Sequence, residues 1–124
     1  MNNHDEVKEI KKIIKCYKEG TYEGNGEKLK SVFHEMAVMN GYLGEEVLMG
    51  TPEPFIKDMA ENPSMKSGSE SYSAEIEYMN IEGRIATVIL SESAFRGKED
   101  MSNHFQLIKT KNGWKIISKL FTTL

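Results

Sequence analysis

The stretch that decides the fold is Asn112-Gly113-Trp114-Lys115-Ile116-Ile117-Ser118-Lys119-Leu120-Phe121, near the end of a chain of 124 residues. Asn-Gly is a preferred sequence for a two-residue β-hairpin turn, so the last two strands are predicted to be neighbours. The strand that follows has apolar residues at both alternating sets of positions, whereas a strand with one face in water is apolar at one set only. The sequence therefore predicts a sheet covered on both faces, by helices on one side and by a second subunit on the other.

Strand periodicity extends upstream of this stretch. Apolar and polar residues alternate over residues 72–78, and two further strands are predicted over 85–95 and 103–109. Turns at Glu82-Gly83 and at Gly97-Lys98-Glu99-Asp100 join these strands. Because each connection is short, the second half of the chain is predicted to be an antiparallel meander.

The first part of the chain has helical periodicity instead. The first predicted helix, over residues 7–17, has an apolar stripe made of Val7, Ile10, Ile13, Ile14 and Tyr17. Asn3 and Glu6 form a predicted capping box at its start, and Gly20 is the predicted stop at its end.

Two shorter helices and one strand are predicted between this helix and the sheet. The second helix covers Glu27 to His34, and the third begins at Thr51-Pro52-Glu53, because proline is favoured at the first helical position. Ala37-Val38-Met39 forms a brief predicted strand that stops at Asn40-Gly41. Helices followed by a separate antiparallel sheet define an α+β fold class.

Length and composition are those of one soluble domain, so residues 1–124 are predicted to form a single domain. A net charge of −3 with no basic stripe argues against a nucleic-acid or anionic-membrane surface. Cys16 is the one cysteine, so no internal disulfide is available, and the first residues lack the pattern of a signal peptide. No apolar run approaches the roughly 20 residues that span a membrane. These observations predict a cytoplasmic protein.

Two segments of the chain resemble a known family. The first is Tyr17-Lys18-Glu19-Gly20-Thr21-Tyr22-Glu23-Gly24-Asn25, followed by Leu29 and by Phe33-His34-Glu35-Met36-Ala37. The second is Asn103-His104-Phe105-Gln106-Leu107, together with the closing stretch quoted above. In this order and spacing, the chain is similar to the putative lumazine-binding family of the nuclear transport factor 2-like (SnoaL-like, ketosteroid-isomerase-like) superfamily.

The resemblance implies an architecture and a partner. Three N-terminal helices would pack on a curved antiparallel sheet to form a cystatin-like cone, with a ligand pocket in the concave face. A homodimer would form through the convex face of the sheet.

The resemblance also implies a criterion for catalysis. Proton-transfer enzymes of the superfamily use a carboxylate base, together with a tyrosine and a neutral acid that stabilise an oxyanion. Tyr17 stands at the position of that tyrosine, and the neutral acid falls at His104 or Phe105. The base position falls at Gly41, which cannot accept a proton. The isomerase mechanism is therefore not expected.

His104 and Lys119 are the polar residues of most interest in the predicted sheet. Histidine titrates near neutral pH, so His104 either transfers a proton or packs as an ordinary residue of a sheet face. Lys119 either anchors an anionic ligand, or packs its stem on the sheet while its ammonium reaches water or Glu92. The histidines are dispersed and Cys16 stands alone, so neither a metal site nor a cofactor is predicted.

Three functions are compatible with these patterns. The first is binding of a small apolar or anionic molecule in a pocket lined by Tyr17, Phe33, Tyr42, His104, Ile117, Lys119 and Phe121. The second is a low-specificity isomerase, dehydratase or cyclase that uses His104 for proton transfer. The third is a dimeric structural or interaction protein with a vestigial pocket and an apolar convex face made of Trp114, Ile116 and Leu120. We favour the first, because it requires only the pocket and its polar anchors.

Overall fold

The computed structural model describes residues 3–124, which form three helices and one six-stranded sheet. The helices are α1 (Asn3–Glu23), α2 (Gly26–Val32) and α3 (Glu53–Glu61). The strands are β1 (Phe33–Leu43), β2 (Glu46–Gly50), β3 (Ser73–Glu82), β4 (Ile85–Phe95), β5 (Glu99–Thr110) and β6 (Gly113–Thr123). The predicted α+β class, with three helices packed on a sheet, is confirmed.

The strands are ordered β2-β1-β6-β5-β4-β3 across the sheet. The predicted meander corresponds to β3–β6, in which each strand pairs antiparallel with the next. β1 adds a parallel pair with β6, so the last strand of the chain lies in the interior of the sheet rather than at its edge. None of the helices in residues 3–124 has an apolar stretch long enough to cross a membrane.

The core lies between the helices and one face of the sheet, which we call the inner face. Ile10, Ile14 and Tyr17 of α1 are fully or almost fully buried in it. The sheet contributes Ala86, Val88, Leu90, Phe105, Leu107, Trp114 and Ile116. Full burial of one large apolar side chain stabilises a fold by about 1.5–3 kcal/mol, so this layer holds the helices on the sheet.

The opposite face of the sheet, which we call the outer face, is not covered by a helix. Large apolar side chains are exposed on it, among them Tyr42, Val47, Tyr78, Ile85 and Leu120. Trp114 and Ile116 were predicted to lie beside Leu120 on this face, and that prediction is wrong because both are buried in the core.

A β-bulge in β6 explains this difference. Gln106 pairs with Ser118 and Leu107 pairs with Ile116, so Ile117 is an extra residue between two paired positions. One extra residue reverses the alternation of side chains along a strand. The buried positions of β6 are therefore Trp114, Ile116, Lys119 and Phe121, and Ile117 does not belong to the same set as Lys119.

Gly20 is not the stop of the first helix, so that prediction is wrong. Gly20 lies within α1, where a Cβ atom would stand 2.9 Å from Cγ of Leu29, so its small size allows α1 and α2 to pack closely. The helix ends at Glu23 and is followed by Gly24, whose φ of 67° is typical of a residue after a helix. α2 ends at Val32, so the predicted helix end at His34 is wrong.

The first strand is also longer than the sequence pattern indicated. Asn40 and Gly41 lie inside β1 and do not end it, and the turn between β1 and β2 comes at Gly44-Glu45. A Cβ atom at Gly41 would stand 2.0 Å from the carbonyl oxygen of Phe121. Gly41 is therefore required by the close approach of Phe121 and not by a turn.

Candidate functional site

A cavity of about 290 Å³ opens between α3 and one end of the sheet. Its walls come from β1, β2, the start of α3 and the neighbouring parts of β4, β5 and β6. Most of the lining is apolar and includes several methionine and phenylalanine side chains. Three charged residues also reach it: Asp58, Glu92 and Lys119. Asp58 accepts a hydrogen bond of 2.9 Å from Arg96, and the other two charges are buried.

Lys119 is the cation of this cavity, and its side chain is embedded among aromatic rings. The residue is 3% exposed, and Nζ lies 4.0 Å from the ring centre of Phe55. The ring centres of Tyr17 and Phe121 lie 5.1 and 5.3 Å from the same atom. Within residues 3–124, this ammonium forms no hydrogen bond and no ion pair. Burial lowers the pKa of Lys119 to about 8, although the charge of Glu92 acts in the opposite direction.

Glu92 is the anion of the cavity, and two donors hold it in place. It is 2% exposed and accepts hydrogen bonds of 2.5 Å from the Tyr72 hydroxyl and from Nδ2 of Asn103. Burial raises the pKa of Tyr72, and the neighbouring Glu92 raises it further, so the phenol keeps its proton and remains a donor. The carboxylate is thus fixed by β5 and by the residue that precedes β3.

The cavity thus contains two buried groups of opposite charge. Lys119 and Glu92 are not among the ion pairs of residues 3–124, in which nitrogen and oxygen lie within 4.0 Å of each other. Lys119 offers unused hydrogen-bond donors, and Glu92 offers carboxylate oxygens. An apolar cavity with a few placed polar groups is typical of small-molecule sites.

The sequence predicts Glu92 only as a partner for the Lys119 ammonium. The signal for its burial is its register in β4, where it follows the buried residues Val88 and Leu90 at intervals of two. A charged residue in the apolar phase of a strand is uncommon, because burial of a charge is costly without partners.

The predicted pocket residues divide into three groups. Lys119 and Phe121 line the cavity, as expected for the concave side of the sheet. Tyr17 and Phe33 are buried in the core behind it, where their rings meet edge to face. Ile117 is the bulge residue of β6 and does not line the cavity, because the bulge removes it from the inward set.

Tyr42 and His104 lie on the outer face, so their predicted place in the pocket is wrong. In β5, the neighbours Asn103 and Phe105 are the buried residues, and alternation places His104 on the opposite side. Tyr42 and His104 instead border a shallow groove that also includes Leu120. His104 therefore has no contact with the cavity that contains Glu92 and Lys119.

Solved structures from other organisms share this fold. A nuclear transport factor 2-like protein of unknown function from Shewanella baltica OS155 is 19% identical, with 100% of this chain and 98% of that chain covered and a TM-score of 0.87. A second such protein, from Methylobacillus flagellatus KT, is 22% identical, with coverage of 97% and 93% and a TM-score of 0.86. At these identities, the likeness is one of fold.

A third similar structure has a named activity. It is described as a putative dehydratase of the nuclear transport factor 2-like family from Streptomyces avermitilis, and it is 16% identical to this chain. The alignment covers 99% of both chains with a TM-score of 0.69. Other neighbours are described as having a cystatin-like fold. No curated protein matches the sequence.

The sequence itself matches one family model, described as putative lumazine-binding, over residues 5–122. This range includes all the strands except Thr123, the last residue of β6, and it includes both buried charges of the cavity. The expected family is therefore confirmed by sequence and by fold together. This chain belongs to the putative lumazine-binding family, within the nuclear transport factor 2-like fold group.

Proposed function

We propose that this protein binds a small, largely apolar molecule that carries an anionic group, and that Lys119 holds that group. The observation that carries the proposal is the buried ammonium, which faces the cavity without a hydrogen bond or ion pair from residues 3–124. A buried charge without a hydrogen-bond partner costs several kcal/mol, and a ligand carboxylate would recover part of that cost. The ligand is thus selected by charge at one end and by apolar contact elsewhere.

The size of the cavity limits the class of ligand. A volume of about 290 Å³ is at the lower end of the range for small-molecule pockets, which suits a molecule of one or two rings. Phe55 and Phe121 offer flat apolar surfaces beside Lys119. Lumazine, the compound in the family name, has two fused rings and should be among the ligands that are tested.

The two alternative functions have less support. An enzyme that uses His104 is not supported, because His104 faces the outer side of the sheet and does not line the cavity. The dehydratase description belongs to a neighbour that is 16% identical and supports the fold alone. A structural protein with a vestigial pocket predicts an interior filled by its own side chains, and the cavity counts against that hypothesis.

We further propose that the protein forms a homodimer through the outer face. Exposed apolar side chains extend across this face from Val47 in β2 to Tyr78 in β3. A second copy offers the same apolar surface, and a two-fold axis would bring the two faces together. The partner would take the place of the helices that the outer face lacks.

The binding proposal is tested with a matched pair of ligands and a matched pair of variants. We expect benzoate, but not the uncharged benzyl alcohol, to raise the midpoint of thermal unfolding, and calorimetry then gives the Kd. Lys119→Met should weaken benzoate binding by about 10- to 100-fold, which is the value of one charge-assisted hydrogen bond. Lys111→Met, at an exposed turn, is the control and should bind as the wild type does. Equal affinity of Lys119→Met and wild type would contradict the proposal.

A further inference from the structure

We propose that the Lys119 amine is a nucleophile that captures a small apolar aldehyde or ketone in the cavity as an imine. This inference rests on the proposed binding function, because the carbonyl compound must first enter the same cavity. It adds a covalent step and a second ligand class, in which the reactive atom is a carbonyl carbon and the remainder is apolar.

The surroundings of Lys119 favour the neutral amine that such a step needs. A lysine becomes a nucleophile when an apolar pocket removes its charge, since the ammonium has no free electron pair. Nζ of Lys119 lies among three aromatic rings and is not held by an acceptor in residues 3–124. Once the proton has left, the electron pair of this nitrogen is therefore not committed to another group within residues 3–124.

The titratable groups around Lys119 come from α1, α3, β4 and the residue that precedes β3. Glu92 of β4 lines the same cavity, and Asp58 of α3 lies at its border, bound to Arg96. Tyr17 of α1 and Tyr72 have pKa values raised by burial and by Glu92, so both phenols stay neutral. With a pKa of about 8 for Lys119, the neutral fraction at pH 7 is on the order of a hundredfold larger than for an ordinary lysine.

The step balances with the solvent and the groups of the cavity. Nζ of Lys119 forms a bond to the carbonyl carbon, and the carbonyl electron pair moves to oxygen, which takes one proton from nitrogen. The resulting hydroxyl takes a second proton from the solvent, the carbon–oxygen bond breaks and water leaves. The nitrogen keeps its other hydrogen, so a protonated imine remains. Glu92 lines the same cavity, and in this proposal its carboxylate relays these protons to the oxygen. The aromatic rings of Phe55 and Phe121 that surround Nζ then stabilise the cationic product.

Reduction of the imine gives the direct test. The wild-type protein is incubated with benzaldehyde and sodium cyanoborohydride, and peptide mass spectrometry follows the alkylation of each lysine. We expect Lys119 to be alkylated at least tenfold faster than the exposed Lys111, and we expect benzoate to suppress alkylation at Lys119 alone. A pH series should show a midpoint near pH 8 for Lys119. A midpoint near the ordinary lysine value, or a rate no greater than that of Lys111, would overturn the proposal.

Variants separate this proposal from the binding function. Lys119→Arg should still bind benzoate but lose all labelling at this position, whereas Lys111→Arg should be labelled at Lys119 as the wild type is.

Glu92→Gln tests the part assigned to the carboxylate. It should lower the midpoint of the pH series because it removes a negative charge, and it should lower the plateau because it removes a proton carrier. An unchanged midpoint and plateau would contradict the part assigned to Glu92. If benzoate binds and Lys119 is not labelled preferentially, the nucleophile proposal fails alone. If neither compound interacts with the wild type, both proposals fail.

Discussion

Burial of the Lys119 ammonium should reduce the stability of the folded state at neutral pH. Its pKa is lowered from 10.5 to about 8 by burial, so the unfolded chain binds a proton that the folded chain releases between these values. Wild-type stability should therefore rise with pH across this window. Lys119→Met keeps a side chain of similar length without the charge, and we expect it to be more stable than wild type by roughly 1–3 kcal/mol at pH 7. Urea unfolding at pH 7, 8, 9 and 10 measures the difference.

The same series contains its own check. The advantage of Lys119→Met should be constant below pH 8 and should shrink toward pH 10, because the folded wild type has then released its proton and no longer contains a buried charge. Lys111→Met is the control, and an exposed substitution of this kind changes stability by less than about 0.5 kcal/mol. A wild type that is more stable than Lys119→Met at pH 7 would mean that the aromatic rings and Glu92 outweigh the cost of burial.

Gly41 is a second residue at which we expect a substitution to lower stability, because its Cα lies close to Phe121. A Cβ atom there would stand 2.0 Å from the carbonyl oxygen of Phe121 and 2.7 Å from its ring. We expect Gly41→Ala to destabilise the protein by about 1–3 kcal/mol, as overpacking does in cores. Gly68→Ala is the control, because its Cβ would meet only the flexible carboxylate of Glu70 at 3.2 Å. Equal unfolding midpoints for the two variants would show that β1 shifts to accept the methyl group.

The sequence was sufficient to single out Lys119 and Phe121. A lysine within an otherwise apolar strand, and an aromatic residue two positions after it, are recognisable from the sequence alone. It was not sufficient for Glu92, whose importance depends on Tyr72 and Asn103, residues distant in the chain. His104 was misplaced for the complementary reason. Its chemistry is visible in the sequence, but the face that it occupies depends on the pairing of β5 with its neighbours.

At the scale of elements, Glu6 connects α1 to the two central strands of the sheet, β5 and β6. It accepts a hydrogen bond of 2.7 Å from Nε1 of Trp114 and one of 2.8 Å from Nζ of Lys109. The hydrogen bond from Lys109 lowers the pKa of the Glu6 carboxyl, with burial opposing and Trp114 assisting. The predicted capping role of Glu6 is replaced by this contact with β5 and β6.

A pH-dependent contribution to stability follows from Glu6. A carboxyl with a lowered pKa stabilises the fold above its ordinary pKa and loses that effect as the pH falls through the lowered value. We expect Glu6→Gln to lower the thermal midpoint at pH 7, and we expect the difference from wild type to vanish between about pH 5 and pH 3. Glu9→Gln, on the same helix but exposed, is the matched control. A pH-independent difference would indicate that Glu6→Gln lowers the thermal midpoint through altered packing and not through loss of the charge.

Secondary structure was predictable where periodicity is uninterrupted, but the sheet face that a side chain occupies was not predictable across a β-bulge. The apolar stripe of α1 and the start of α3 follow directly from the spacing of their residues. In β3 and β6, one extra residue at Glu77 and at Ile117 reverses the alternation. An extra residue looks like any other in the sequence, since only the partner strand shows that it has no counterpart.

At the scale of the whole molecule, the proposed dimer makes a testable demand on the outer face. Leu120 is 55% exposed at the centre of this face, between Asn40 of β1 and His104 of β5. A stable dimer buries about 800 Å² on each partner, and a charge at its centre would be left without water. We expect sedimentation to show a wild-type dimer and a dimer of Leu120→Glu with at least tenfold weaker association. Leu124→Glu, exposed beyond the end of β6, is the control, and a monomeric wild type would contradict the dimer.

The parallel pairing of β1 with β6 has a consequence for the order of events during synthesis. β6 lies between β1 and β5, so the sheet consists of a two-stranded and a three-stranded fragment until the last strand is available. Synthesis must therefore proceed through β6 before the two fragments are joined, and until then Trp114 and Ile116 do not cover Ile10 and Ile14 of α1. Contacts so distant in sequence form slowly, because a long loop must close first. Until β6 has been synthesised, the edges of β1 and β5 that it pairs with should accordingly be exposed, and a chaperone can bind them in the interval.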